Sequence, residues 1–245
     1  MARPPGHGPN FQARKDEIVD LAAQLFAERG YASTSLDDLG ALVGLGKGAL
    51  YHYIGSKEAL LVEIQSRMTH PGQLIAGEIE KLDLDPLLCL RVLSESLLRL
   101  MLHRLAHISA LEHDFRHLTG KNLARFHEER SIFEDTVAML LARGMADGTL
   151  RQMDPRLAMQ QFLNMHNYTY RWIRPDGPWT PRYLSGQYCE TLFRGLLADG
   201  AHYDLGDLEA RASRFLDHDA PETLRALLPG LNAPEQDRDK IAARA

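Results

Sequence analysis

Apolar residues recur along this chain at the three-and-four spacing of amphipathic helices, and no stretch of useful length alternates as a strand would. The first helix is expected over Arg14 to Arg29, with Ile18, Leu21, Ala22, Leu25 and Phe26 on one face and Gly30 closing it. Thr34 or Ser35 caps the next helix, with Asp37 or Asp38 supplying a capping-box carboxylate, and Leu36, Leu39 and Val43 point inward. Gly44 and Gly46 bracket a turn into a third short helix. A long helix opens at Ser56 and is expected to kink or break at Pro71-Gly72. Further helices are expected from Asp85 or Pro86 to about Leu105, over Ile108 to Leu118, from Thr119 to Ala146, from Asp154-Pro155 to about Ile173, and from Thr180-Pro181 to about Asp199. The fold class is therefore all-α.

Domain limits follow from the same pattern. Residues 1–12 are rich in Pro and Gly and read as a flexible segment; 13–58 form a three-helix module; 59–199 form a larger helical domain. Residues 200–245 form an acidic, partly helical extension with six Lys/Arg against nine Asp/Glu, in which Leu208 to Leu216 and Pro221 to Leu228 are amphipathic. The last thirteen residues are expected to be disordered.

Composition narrows the function classes. Over 245 residues, 44% are hydrophobic, 25% are charged and the net charge is −5, so the chain is not a generally basic nucleic-acid coat. No apolar run approaches the roughly 20 residues of a membrane span, and the N-terminal residues lack the apolar core of a secretory signal. The expected location is the cytoplasm, without membrane contact. Cys89 and Cys189 are too few for a disulfide framework and read as buried free thiols. Neither a nucleophile elbow, a P-loop nor a Gly-rich cofactor fingerprint is present, so neither catalysis nor a cofactor is expected.

The densest chemistry lies in Lys47 to Tyr53, in the second of two short helices joined by a glycine turn. That is the layout of a helix-turn-helix, whose second helix enters the major groove of duplex DNA by its N-terminal residues. Lys47 suits a phosphate or a guanine edge, Gly48 and Ala49 permit close approach, and Ala49 suits a thymine methyl. Tyr51 and His52, about one turn on, can donate to phosphate oxygens. Thr34 and Lys57, at helix N-termini, are placed for phosphate. Residues 1–58 carry six Lys/Arg and seven Asp/Glu, so affinity would rest on a few placed contacts and on dimerisation.

The stretch from Ala23 to Leu60, AAQLFAERGYASTSLDDLGALVGLGKGALYHYIGSKEAL, resembles the N-terminal domain of TetR-family transcriptional regulators. The resemblance implies a homodimeric repressor whose C-terminal helical domain binds a small molecule. It also sets Thr34, Lys47, Gly48, Tyr51, His52 and Lys57 on the family's usual DNA-facing positions. Gly46 departs from the usual capping serine, Ala49 from threonine and Ile54 from phenylalanine. More narrowly, Asp114-Phe115-Arg116-His117-Leu118, Asp154-Pro155-Arg156-Leu157, NYTYRWIRPDGPWTP and LFRGL resemble a TetR subgroup associated with lipid or sterol catabolism. Members of that subgroup respond to acyl-CoA thioesters, which implies such an effector here.

For the effector, Met101, Phe115, Phe126, Phe133, Met159 and Phe162 offer apolar lining, with His166 and Tyr170 as i, i+4 polar groups on the same face. Each is equally a candidate for ordinary core. A TetR-like dimer would use the last two core helices, with Leu184, Tyr188, Leu192, Phe193 and Leu196 as the stripe. The other readings are a different ligand class (an aromatic compound or drug), control by a partner protein through the acidic extension, and a metal site. For the last, His103 and His107, then His113 and His117, stand at chelating i, i+4 spacing without a thiolate, and metal binding is not expected.

Overall fold

The computed structural model describes residues 9–230. They form eleven α-helices and no strand: α1 (Pro9–Arg29), α2 (Leu36–Val43), α3 (Lys47–Ile54), α4 (Lys57–Glu80), α5 (Pro86–His103), α6 (Leu105–Asp114), α7 (Gly120–Ala146), α8 (Pro155–Asn167), α9 (Pro181–Leu196), α10 (Leu205–Arg214) and α11 (Glu222–Leu227). Three short turns of tighter or wider helix stand at Phe115–His117, Thr169–Arg171 and Phe215–Asp219.

Three expectations are corrected. Residues 9–12, assigned to the flexible segment, are the start of α1. The helix after Ser56 does not break at Pro71 but runs on to Glu80. The helix from Asp154 stops at Asn167 rather than Ile173, and Thr169–Arg171 follow as a tighter turn in which the Thr169 hydroxyl donates to the Met165 carbonyl at 3.0 Å. The remainder of the flexible segment and the disordered tail fall outside the described residues.

The chain divides into two compact units. One takes the described residues up to Thr69 together with Arg104–His127; the other takes His70–His103 and Glu128 onward. In the first unit, α1 lies against α2, α3 and α6. Ile18, Ala22, Leu25 and Phe26 meet Leu39, Val43, Leu50 and Ile54 in a core sealed from solvent. Each of the larger side chains contributes about 2 kcal/mol on full burial. Ser35 caps α2 and Asp38 completes the capping box by accepting from the Ser35 amide at 2.8 Å. The α2–α3 turn is tight: a Cβ on Gly40 would stand 2.7 Å from the Leu45 carbonyl oxygen, and Gly44 adopts φ +68.

In the second unit α5 is buried nearly all round and packs against α8, α9 and α10. Its buried set includes charge. Glu95, 0% exposed, accepts from Arg99 at 2.6 and 2.9 Å, from Arg91 at 3.1 Å and from Arg182 at 3.4 Å. Arg91, 1% exposed, also forms a bidentate pair with Glu209 of α10 at 2.6 and 2.7 Å. Arg182 of α9 pairs likewise with Asp217, at 2.8 and 3.0 Å. Gly186 lets α10 approach, since a Cβ there would meet Glu209 at 3.2 Å. With Leu208, Ala212, Phe215, Leu216 and Leu224 also buried, the described part of the extension is built into this unit's core.

Candidate nucleic-acid interface

The first turn of α3 projects from its unit almost bare. Gly46 is the N-cap, at φ −68 and ψ 156, and makes no side-chain cap hydrogen bond. Nothing lies within 4 Å of a Cβ built at Gly46 or Gly48, so both keep the backbone open to an approaching surface. Lys47, Gly48, Ala49, Tyr51 and His52 are exposed along this helix, while Leu50 and Ile54 point the other way into the core. Lys47 stands 3.7 Å from the exposed Asp37, an ion pair worth well under about 1 kcal/mol and readily exchanged for a phosphate. Behind the exposed face, Phe11 of α1 stacks on Tyr53 at 4.7 Å and meets His52 edge-on at 5.4 Å. The sequence pattern does not reveal Phe11, because it falls in the stretch whose composition reads as flexible.

Two of the seven expected DNA contacts stand apart from this face. Thr34 is 2% exposed, and its hydroxyl donates to the Gly30 carbonyl at 2.9 Å. Lys57 turns inward: its ammonium donates to the Tyr31 carbonyl and lies 4.1 Å from the centre of the Tyr31 ring. Burial lowers the Lys57 pKa, an effect opposed by the negative charge of Asp114.

The eight expected effector contacts fall in both units. Phe115 and Phe126 belong to the first, where their rings stack at 5.6 Å. Met101, Met159, Phe162 and His166 are buried in the second; Phe133 and Tyr170 are half-buried there. His166 is held on both sides. Its Nδ1 donates to the Phe162 carbonyl at 2.7 Å, which leaves Nε2 to accept from the Ser94 hydroxyl at 2.6 Å. The Phe162 ring stacks on it at 4.5 Å, and Tyr188 meets it edge-on at 5.3 Å. None of the eight lines either of two open clefts in the second unit. One, of about 370 Å³, lies between α9 and α10 beside Tyr183, Gln187 and Leu205; the other, of about 610 Å³, lies around Asp85 and Arg143.

Burial pushes the His166 pKa down to about 4. His107 is also lowered to about 4, by burial with Arg104 and Arg67 adding to it and Asp20 opposing. Both folded values lie below the unfolded value of about 6.5, so both histidines stabilise the fold fully above that pH and progressively less as pH falls toward 4. The urea midpoint is therefore expected to drop between about pH 6.5 and about pH 4.5. A midpoint that stays level over that range refutes the assignment of neutral, buried imidazoles.

The chain itself covers part of the expected dimer stripe. Leu184, Phe193 and Leu196 are buried within the single chain, with Tyr188 and Leu192 half-buried. The large apolar groups left exposed around α8 and α9 are Leu157, Tyr168, Trp172, Trp179 and Tyr183. The four histidines do not converge. His103 and His113 are exposed; His107 is buried 3.2 Å from Asp20, without hydrogen-bond alignment; His117 lies 3.8 Å from Asp114. Among the described residues no group of three or more His, Cys, Asp or Glu is placed to hold a metal ion. Cys89 and Cys189 are free buried thiols, each pushed up to about 11 by burial. Among the described residues no helix is long and apolar enough to cross a membrane.

A short exposed helix on a three-helix core, followed by a larger helical unit, is also found in known proteins. Residues 18–64 match the family described as bacterial regulatory proteins of the tetR family, and residues 83–196 match the tetracyclin repressor-like C-terminal domain. The crystal structure of the TetR-family transcriptional regulator PfmR from Thermus thermophilus is 32% identical, covering 73% of this chain and 98% of that one, with a TM-score of 0.69. The chain belongs to the TetR family. It is thus a DNA-binding transcriptional regulator and not an enzyme. The transcriptional repressor KstR2 of Rhodococcus jostii is 27% identical over 199 residues, 80% of this chain and 98% of its own length. AibR, solved in complex with isovaleryl coenzyme A and operator DNA, is 26% identical over 74% of this chain and 98% of its own, with a TM-score of 0.65. Helices α10 and α11 lie beyond both matched regions of this TetR-family chain.

Proposed function

We propose that this protein is a homodimeric repressor that lays α3 in the major groove of a palindromic operator and is released by an acyl-CoA thioester. The observation that carries the DNA reading is the amphipathic split of α3. Leu50 and Ile54 anchor it, and Lys47, Gly48, Ala49, Tyr51 and His52 present a lysine, two phosphate donors and an unobstructed backbone. The dimer places two such helices about 34–36 Å apart, one turn of the duplex. It joins through exposed residues of α8 and α9 rather than through Leu184, Phe193 and Leu196, which serve each protomer's own core. The effector favours a conformation with the wrong spacing and shifts the population away from the operator.

The thioester class is supported by AibR, a relative solved bound to isovaleryl coenzyme A. A panel of short, long and steroid-derived acyl-CoAs is expected to contain a member that weakens the operator complex at least tenfold, while the corresponding free acids do not. The check is fluorescence anisotropy on a labelled operator duplex. Release by an aromatic compound alone, or by no thioester, defeats the effector assignment and leaves the DNA reading standing.

A further inference from the structure

Asp114 stands where its own helix disfavours it. It is the last residue of α6, at the negative end of the helix dipole, and it is 4% exposed. A buried carboxylate there is unfavourable unless something outside the helix compensates it. The compensation comes from the turn between α1 and α2. Asp114 Oδ2 accepts from the Tyr31 amide at 2.9 Å. The Tyr31 carbonyl receives the Lys57 ammonium from the start of α4 and the Thr34 amide at 3.2 Å. The Tyr31 ring lies beneath that ammonium, 5.3 Å from Phe26 and 5.1 Å from the His117 ring. Four residues after Tyr31, Ser35 caps α2, and α2 carries α3. Beside this clasp, Glu58 of α4 accepts from Asn122 at 2.9 Å and Thr119 at 3.2 Å, which ties down the start of α7. All of these residues belong to one compact unit. Upstream, α6 is joined to α5 through a single non-helical residue, Arg104, at φ −130 and ψ 43.

We propose that Asp114 is the positioning residue through which α6 sets the reading helix: its carboxylate fixes the Tyr31 amide, and a shift of α6 withdraws it and frees the α1–α2 turn. This rests on α3 being the operator-reading helix. In the held state the turn, α2 and α3 have one arrangement relative to α1. In the released state Tyr31 has lost its acceptor, and α3 no longer keeps the orientation that specific contacts need. Non-specific phosphate attraction, which depends on charge rather than on fixed geometry, persists.

The test uses the full chain and a duplex selected by the wild-type protein from a random-sequence pool. Asp114→Leu keeps the branched shape and removes the acceptor; Asp114→Asn keeps both the size and an acceptor oxygen. Asp114→Leu is expected to weaken binding of the selected duplex at least tenfold, to leave binding of an unrelated duplex at low salt within about twofold, and to speed hydrogen exchange at the Tyr31 amide. Asp114→Asn is expected to restore selected-duplex binding to within about threefold, with Tyr31 again protected. Lys57→Met loosens the same turn from its carbonyl side and is expected to speed Tyr31 exchange in the DNA-free protein, which a residue serving only as a phosphate contact would not do; it keeps the question open to measurement if Asp114→Leu does not fold. Tyr31 exchange unchanged in Asp114→Leu, or in Lys57→Met where Asp114→Leu does not fold, overturns the proposal, as does Asp114→Asn binding as poorly as Asp114→Leu. If Tyr51→Ala leaves binding of the selected duplex intact, the parent reading of α3 fails instead, whatever the exchange shows.

Discussion

Glu95→Ala is expected to cost about 4 kcal/mol of unfolding free energy, because it leaves buried guanidinium groups with too little negative charge. Glu95 is the one carboxylate shared by Arg91, Arg99 and Arg182. Without it, Arg91 keeps Glu209 and Arg182 keeps Asp217, but no other carboxylate is paired with Arg99 among the described residues. Burial by itself would raise the Glu95 pKa; Arg99, Arg91 and Arg182 outweigh burial and hold it below the ordinary carboxylate value. A depressed folded pKa means that the contribution is fully present at neutral pH and is lost on acidification below the usual glutamate range. Urea unfolding is the check, followed by tryptophan fluorescence, since Trp172 and Trp179 both lie in this unit. Arg194→Ala serves as the control. It breaks only the exposed pair with Glu190, at 2.8 Å, and should change stability by less than about 1 kcal/mol. Equal midpoints for Glu95→Ala and Arg194→Ala would show that the buried charges are not coupled as described.

Lys47→Ala and Tyr51→Ala are each expected to weaken specific operator binding about tenfold to a hundredfold, at roughly 1–3 kcal/mol per lost contact. Lys47 is exposed and held only by a loose pair with Asp37, so its removal costs the fold little. Tyr51 is 42% exposed and likewise dispensable to the core. The two should differ in their salt dependence. Lys47→Ala lowers the slope of log affinity against log salt by about one per protomer, because it removes a cation that displaces a counterion, whereas Tyr51→Ala leaves the slope nearly unchanged. Binding curves across a salt series decide this, and wild-type affinity in both variants would remove α3 from the interface.

Much of this architecture was legible because it is local. The face of α1, the Ser35 capping box and the glycine turn into α3 are each decided by residues within a few positions of one another. The resemblance identified which residue types belong to the reading module, but not where each side chain turns. Lys57 was expected at a phosphate, yet its partner Tyr31 lies 26 residues earlier, and nothing in the local pattern indicates that pairing. Arg91 and Glu209 are 118 residues apart, and nothing in the local pattern of either joins them. The stripe of α9 is periodic, but a 3.6-residue repeat shows only that one face is buried, not whether its cover is the same chain or a second one. Pro71 lies inside α4, where the helix's other residues outweigh proline's local penalty and keep the helix from ending.

The unit that holds α3 is assembled from two separate stretches of chain, with Arg104–His127 returning to it after an excursion through α5. It is therefore not a cassette that can be cut out at one point. A fragment ending after the helix-turn-helix would keep every residue of the reading face and lose α6 from the flank of α1, with a fresh apolar surface in its place. For anyone building hybrid regulators from this scaffold, the transferable unit that carries α3 is the pair of segments together. A junction placed only where the motif ends would divide that part rather than separate it from its neighbour.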